Sequence, residues 1–135
     1  MALSQKLSNA AANAGADAIL ALLDNGYLRA YDGTQAATAD TAIGSQVLLA
    51  ELRFNATAYA AASAGVAIAN AFTNDASANG TGTATWFRTL SSDGTTVIFD
   101  GSIGTSGCNL NLNSTSIVIG NPVNVSSLGF TLNKS

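Results

Sequence analysis

The side chains of this sequence that could do chemistry are carboxylates and one thiol. The carboxylates belong to Asp17, Asp24, Asp32, Asp40, Glu51, Asp75, Asp93 and Asp100. Two carboxylates about 5–10 Å apart in a cleft are sufficient for the hydrolysis of a glycosidic bond. Four of the acids lie beside or within glycine-containing turns, where aspartate commonly bonds to the backbone. These four are Asp24, Asp32, Asp93 and Asp100. We therefore interpret the acids as turn and surface residues. The alternative is an enzyme with paired carboxylates, and the distance between the acids in the folded chain tests it.

The sequence contains no histidine and a single cysteine, Cys108. It therefore lacks the usual general base, the Ser-His-Asp arrangement and the commonest metal ligand. A thiol without a histidine partner also lacks its usual activating base. The glycine-rich segment 79–83 lacks the Gly-Lys-Ser/Thr ending of a phosphate-binding loop, and no Asp-x-Asx-x-Asx calcium loop is present. We predict that the protein is not an enzyme and has no catalytic residue, no metal site and no cofactor.

The composition indicates a single domain with a weakly charged surface. The chain has 135 residues, of which only 10% are charged, and its net charge is −3; ordinary domains carry about 25% charged residues. Lys and Arg are not clustered, so we predict no nucleic-acid partner. No apolar run approaches the ~18 residues of a membrane helix and no signal peptide is evident, so we predict no membrane association and synthesis in a cytoplasm. A surface so poor in charge suggests that neighbouring subunits cover part of it.

Residues 3–24 are rich in alanine and predict a short N-terminal helix or arm. Three- and four-residue spacings place Leu7, Ala11, Ala14, Ala18 and Leu22 on one face of that helix. The segment 24–26, Asp-Asn-Gly, is a typical helix stop. We predict that residues 1–26 form a helical segment packed either on the remaining domain, 27–135, or on a neighbouring molecule.

After residue 26 the apolar residues recur with period two, which indicates β-strands. Predicted strands cover 27–32, 46–54, 83–90, 95–100, 109–113, 117–119, 123–125 and 128–132, with 34–45 as a loop and 58–72 as an extended segment. The strongest signal is the hairpin 83–100, because Asp93-Gly94 separates two alternating runs. Many short strands at roughly ten-residue spacing favour a mainly β fold, namely an antiparallel β-sandwich that is jelly-roll-like.

Several turn-and-strand motifs together resemble small proteins encoded by tailed bacteriophages and prophages. The motifs are Tyr31-Asp32-Gly33-Thr34, Leu48-Leu49-Ala50-Glu51-Leu52, Gly82-Thr83-Ala84-Thr85-Trp86-Phe87-Arg88, Ser92-Asp93-Gly94-Thr95-Thr96, Asp100-Gly101, Gly104-Thr105-Ser106-Gly107 and Leu110-Asn111-Leu112-Asn113. The resemblance spans nearly the whole chain and implies a capsid cement (decoration) protein located on the virion. It further implies that the partners are the major capsid protein and other copies of the chain, as a dimer or trimer.

The residues predicted to contact other subunits are Leu3, Leu7, Tyr27 and Tyr59. The alternative to a cement protein is a tail or fibre component that binds a host-surface carbohydrate. Such a protein would expose aromatic rings that stack on sugars, and Tyr27 and Tyr59 are the candidates for this role.

Overall fold

The computed structural model of the chain describes residues 5–73 and 77–132. These residues form one helix and nine strands. They are α1 (Asn9–Ala21), β1 (Tyr27–Tyr31), β2 (Leu48–Arg53), β3 (Val66–Ile68), β4 (Gly82–Thr83), β5 (Trp86–Leu90), β6 (Val97–Gly104), β7 (Leu110–Leu112), β8 (Ser116–Ile117) and β9 (Val125–Thr131). The predicted mainly β class with an N-terminal helix is confirmed.

Seven strands form one sheet in the order β2-β1-β5-β6-β7-β9-β3, and β4 pairs with β8 in a small second sheet. Every neighbouring pair is antiparallel except β6 and β7, which run parallel, with Ile103 opposite Leu110. The predicted antiparallel pairing is therefore wrong at this one pair, and the sandwich with its jelly-roll-like arrangement stays a prediction. Thr73, beyond β3, forms an antiparallel bridge with Arg53 at the end of β2, so the sheet curls around its core.

The helix buries a different face from the one that the sequence suggested. Leu7, Ala11, Ala14, Ala18 and Leu22 are all exposed, whereas Ala12, Ala16 and Leu20 are buried. The helix has alanine on both faces, so apolar spacing distinguishes the two faces poorly. Close packing decides between them, because a Cβ built on Gly65 would lie 3.2 Å from the Cβ of Ala12. Only a small residue fits at this contact.

The helical segment packs on its own domain through three polar side chains. Asn13 accepts a hydrogen bond from the amide of Gly65 at 2.9 Å, and Asp17 accepts one from Ala62 at 2.9 Å. Asp24 accepts one from the amide of Ala58 at 2.8 Å. Residues 13–24 therefore attach to the extended segment 58–65.

The hairpin of β5 and β6 is confirmed, with Gly94 at φ +72° in its turn. All five residues of β5 are buried, because other parts of the chain cover both faces of the strand. Phe87 enters the main core, and the opposite face is covered by the loop 32–47. On that face Trp86 donates its indole N–H to the carbonyl of Asp32 at 3.0 Å and stacks on Tyr31.

Strand β6 runs four residues further than predicted, through Gly101 to Gly104. The Asp100-Gly101 pair does not end it, because Gly101 lies opposite Phe87 in the ladder and leaves room for the ring. A Cβ at Gly101 would lie 2.5 Å from the Cζ atom of Phe87. Glycine at this position serves packing within the sheet and does not form a turn.

Candidate functional site

Charged residues are distributed unevenly over the sheet. The stretches 54–74 and 101–133 contain no Asp, Glu, Lys or Arg. They supply β3, β7, β8 and β9, which we call the uncharged half. Both ion pairs of the described residues lie on the other strands, where Arg29 bonds to Glu51 at 2.7 Å and Arg88 bonds to Asp100 at 2.8 Å. The weakly charged surface predicted from composition is thus concentrated on one part of the fold.

The register of the strands defines an outward face on the uncharged half. Leu110 and Leu128 lie opposite each other and are buried, so their strand neighbours point outward. Register pairs join Asn111 with Ser127, Ile68 with Gly129 and Val66 with Thr131. We call the resulting surface the β9 face; it consists of Val66, Ile68, Asn109, Asn111, Ser127, Gly129 and Thr131. Val66 is 42% exposed and Ile68 is 54% exposed.

Three polar side chains of the β9 face, those of Asn109, Asn111 and Ser127, bond to neighbours within the same chain. The side-chain nitrogen of Asn111, Nδ2, donates to the hydroxyl of Ser127 at 3.1 Å. The side-chain oxygen of Asn109 accepts from the hydroxyl of Ser102 at 3.1 Å. A polar group that is already bonded loses less free energy on leaving water than an unpaired group does. Covering this face with another protein therefore costs little desolvation energy.

A second exposed apolar site surrounds the turn 118–121. The amide of Asn121 donates to the carbonyl of Val118 at 3.0 Å, and Gly120 has φ +85°. This turn places Ile119 at its corner with 62% of its surface exposed, where polar residues and proline are the common choices.

Val47 and the turn 118–121 both border the segment Gly80–Thr81. The Cγ1 of Val47 is 3.6 Å from the position of a Cβ on Gly80, and the Ile119 amide donates to the Thr81 hydroxyl at 3.0 Å. Val47 and Val118 are also half exposed. We call Val47, Val118 and Ile119 the Ile119 patch. It borders β2, which is at the opposite end of the sheet order from β3.

Most acids of the described residues have hydrogen-bond partners that their sequence context only partly predicted. Asp32 accepts a hydrogen bond from the amide of Val47 at 2.6 Å, as expected of a turn residue. Asp93 accepts bonds from the hydroxyl of Thr96, the amides of Thr96 and Thr95, and the hydroxyl of Ser91, which together lower its pKa. Asp100 was predicted to be a turn acid, and this is wrong.

Asp100 instead forms a buried ion pair with Arg88, whose side chain also donates to the carbonyl of Thr38 at 3.3 Å. Hydrogen bonding to Asp100 raises the pKa of the Arg88 guanidinium. The pair joins β5 to β6 and holds the loop 32–47 against them.

Two acids line a cavity of about 190 Å³ between α1 and the segment 57–61. They are Asp17 and Asp24, and each accepts a backbone amide of the neighbouring segment. Tyr59 also lines this cavity, and its buried hydroxyl has no hydrogen-bond partner among the described residues. Burial raises the pKa of this phenol. Since the carboxylates hold the helix in place, the cavity is explained by the packing of α1.

The residues predicted to form the interface do not come together on the uncharged half. Leu3 lies outside the described residues, and Leu7 is exposed ahead of α1. Tyr27 is half buried, with the Arg53 guanidinium 4.7 Å from the centre of its ring. Tyr59 is only 7% exposed and packs against Phe54, so the prediction that it presents a ring to sugars is wrong.

Sequence reasoning missed the exposed Val66, Ile68, Val118 and Ile119. The signal that could have identified them is the pair of charge-free stretches, 54–74 and 101–133. A β-branched residue within such a stretch has no charged neighbour in the sequence. A partner protein can therefore cover it without removing a charge from water.

Within the described ranges, no group of three or more His, Cys, Asp or Glu is arranged to hold a metal ion. Over the same residues, no helix has the length and apolar character needed to cross a bilayer. Comparisons with protein-family models, with curated proteins and with solved structures find no match to this chain.

Proposed function

We propose that this chain is a structural virion protein of a tailed bacteriophage, namely a capsid cement (decoration) protein that bridges major capsid subunits. The resemblance of several motifs, among them 82–88 and 92–96, to small phage proteins motivates the assignment. The observation that supports it best is the uncharged half, with exposed β-branched side chains on the β9 face and, separately, at Val118 and Ile119 of the Ile119 patch. Exposed apolar patches commonly mark sites of contact with other proteins.

A bridging protein needs two contact surfaces, because it must hold two neighbours at once. The β9 face and the Ile119 patch are two separate groups of exposed apolar side chains, the first on β3 and β9 and the second in the turn 118–121 and beside β2, and each can serve as one contact. Full burial of one Val or Ile side chain stabilises by about 1.5–3 kcal/mol, so each patch alone binds weakly. On a capsid lattice such contacts repeat many times, and multivalency turns weak contacts into stable attachment.

The small number of charges also suits attachment to a shell. A charged group that leaves water without a partner costs several kcal/mol, and the uncharged half has no such group to desolvate. Some of its polar side chains already bond to one another, as Asn111 does to Ser127 and Ser126 does to Asn113. Contact with a neighbouring subunit therefore gains apolar burial without a large electrostatic cost.

Re-addition to stripped capsids tests the proposal. Capsids of the phage that encodes the chain are stripped of the protein, and the wild type or the Ile119→Asp variant is added back. We expect the wild type to rebind and restore heat resistance and the variant to bind at least about tenfold more weakly. Leu22→Asp is the matched control, because Leu22 is 57% exposed on the helical side and outside the uncharged half.

Failure of the wild-type protein to rebind would reject the cement function. Cryo-electron microscopy of the virion provides an independent test. Density for the protein at joints between capsid subunits is the expected result. Density on the tail, together with binding to a glycan array, would replace the proposal with the carbohydrate-binding alternative.

A further inference from the structure

We infer that β6 and β9 leave a position for one further strand between them, and that an extended, uncharged segment of a partner protein binds there. The inference deepens the proposed function, because it names the kind of segment that a neighbouring subunit supplies. Only the identity of that neighbour, a capsid subunit, rests on the cement function. The basis is the length of β7, the direction of the backbone groups beside it and two phenylalanine rings.

Strand β7 is too short to fill the space between its two neighbours. It spans three residues, whereas β6 spans eight and β9 spans seven. Because β7 runs parallel to β6 and antiparallel to β9, the first residues of β6 and the last residues of β9 continue side by side past its start. Adjacent strands lie about 4.8 Å apart, so two strands that flank a third are about 10 Å apart. We call the space between 97–101 and 129–131 the strand gap.

On β6 the backbone of Asp100 faces the strand gap. The amide of Ile103 donates to the carbonyl of Thr85 at 3.0 Å, on the side of β5. Backbone groups alternate in direction along a strand, so Ser102 and Asp100 face the opposite side. The amide of Ser102 follows this rule, since it donates to Oδ1 of Asn109 at 3.2 Å. Among the described residues, none bonds to the backbone of Asp100 on this side.

On β9 the backbone of Thr131 faces the strand gap from the other side. The amide of Leu132 donates to the carbonyl of Gly65 at 2.8 Å, on the side of β3. Alternation therefore directs Thr131 away from β3, as it does Gly129, whose amide donates to the carbonyl of Asn109 at 3.1 Å. Thr131 is exposed, and the part of the chain that the structure describes gives its backbone no partner on this side.

Water reaches the backbone of Asp100, although the side chain of this residue is buried. The residue as a whole is partly exposed, whereas its side chain is only 4% exposed. The accessible atoms therefore belong to the backbone. An accessible strand edge with unpaired N–H and C=O groups is a template for pairing with another chain.

Two aromatic rings lie on the core side of the strand gap. They belong to Phe99 of β6 and Phe130 of β9, and their centres are 5.1 Å apart. Both rings pack against the core, yet each residue stays partly exposed. A strand bound in the gap would place an apolar side chain over these rings and remove them from water.

The strand gap identifies the chemistry of its partner. Backbone N–H and C=O groups on both rims match an extended peptide, whose own groups alternate between its two edges. The two rings favour an apolar side chain in such a peptide. The carboxylate of Asp100 is already paired with Arg88, so the gap offers no free charge. A charged segment would therefore lose its hydration without compensation, and an uncharged one is preferred.

Nuclear magnetic resonance titration of the full chain tests the inference without a capsid. The probe is an acetylated and amidated pentapeptide of alternating threonine and valine. Its matched control has the same side chains and methylated backbone nitrogens, so it lacks N–H donors. We expect the probe to slow hydrogen exchange at the amides of Asp100 and Thr131 and to bind at least about tenfold more tightly than the control.

A pair of variants at one position tests the rim on β9. Thr131→Pro removes an N–H that β3 does not use, whereas Thr131→Val keeps it. The proline variant should bind the probe at least about tenfold more weakly than the valine variant. Circular dichroism checks that both are folded, and the two peptides decide on the wild type if the proline variant is not. Equal binding of the two peptides would overturn the inference, as would unchanged exchange at Asp100 and Thr131.

Hydrogen exchange on capsid-bound protein separates this inference from the cement function. We expect residues 98–101 and 129–132 to become protected when the protein rebinds to stripped capsids. Rebinding without this protection would overturn the strand gap as the contact and leave the cement function standing. Probe binding by a protein that does not rebind to capsids would support the strand gap and reject the cement function.

Discussion

Arg88 and Asp100 form an ion pair with two hydrogen bonds in the interior, across the ladder of β5 and β6. The Nε atom of Arg88 lies 2.8 Å from Oδ1 of Asp100, and Nη2 lies 3.0 Å from Oδ2. Both side chains are about 95% buried, with exposures of 5% and 4%. The pair occupies the face of β5 that the loop 32–47 covers, so it links the sheet to that loop through the carbonyl of Thr38.

Removal of one partner of this pair should strongly destabilise the fold. Asp100→Ala leaves a buried guanidinium without its counter-charge, and we expect the free energy of unfolding to fall by about 3–5 kcal/mol. Urea denaturation measures this change. The double variant Arg88→Met with Asp100→Leu is the control, and it should recover most of the loss because no charge remains buried. A loss below about 1 kcal/mol for Asp100→Ala would contradict the interior position of the pair.

Gly101 should tolerate no side chain, because the ring of Phe87 occupies the space. In Gly101→Ala the new methyl group would lie 2.5 Å from Cζ of Phe87 and must displace the ring. We expect a loss of about 1–3 kcal/mol in the free energy of unfolding, which is typical of an overpacked core. Thermal and urea denaturation measure this loss.

Gly44→Ala serves as the control for Gly101→Ala. A Cβ at Gly44 would meet only the flexible side chain of Gln46, at 3.5 Å. Its effect should stay within about 0.5 kcal/mol, as for most surface substitutions. Equal losses for the two glycine variants would show that the ring does not pack as described.

Tyr59→Phe should stabilise the protein. Within the part of the chain that the structure describes, the hydroxyl of Tyr59 is buried without a hydrogen-bond partner, and an unsatisfied polar group costs about 1–3 kcal/mol. We expect the free energy of unfolding to rise by about 1 kcal/mol in denaturant titrations. Tyr27→Phe, at a half-buried tyrosine, should change it by less than about 0.5 kcal/mol. A less stable Tyr59→Phe variant would mean that a bound water or another partner satisfies the hydroxyl.

The turn that joins β5 to β6 should lose stability in acid through Asp93. Hydrogen bonds from Thr96, Thr95 and Ser91 lower the folded pKa of Asp93 below its usual 3.8. The stabilisation is therefore fully present above pH 3.8 and is lost as the pH falls through the folded pKa. Asp93→Asn cannot lose a charge, so its deficit against the wild type should be constant near neutral pH and shrink below about pH 4. Denaturation at a series of pH values measures this deficit, and a deficit that does not shrink in acid would contradict the prediction.

The hairpin of β5 and β6 was predictable because its signals are local. The alternation in 83–90 and the Asp93-Gly94 turn favour one pairing whatever the rest of the chain does. The extended conformation of 58–72 was also predicted, although its alanines have high helix propensity. Tertiary contacts override that propensity, because β3 pairs with β9 and its central residue, Ala67, is buried in the core.

The helix shows where the pattern of apolar residues fails as a predictor. Its exposed and buried faces both consist mainly of alanine, so their hydrophobicity differs little. The buried face is determined by steric fit of Ala12 to Gly65 and by the bonds of Asn13 and Asp17 to the segment 58–65. These partners lie about forty to fifty positions away in the chain, and a periodicity read along the helix contains no information about them.

The mainly β class, the hairpin turn and the scarcity of charge follow from the amino-acid order alone, because alternation, turn chemistry and composition are local or additive properties. The parallel pairing of β6 with β7, the buried ion pair of Arg88 and the exposure of Ile68 and Ile119 required the folded chain. These features depend on which distant segments meet, and the meeting is determined by the packing of the whole core. For this reason the candidate contact surface became recognisable only when the strand register had placed the two charge-free stretches side by side.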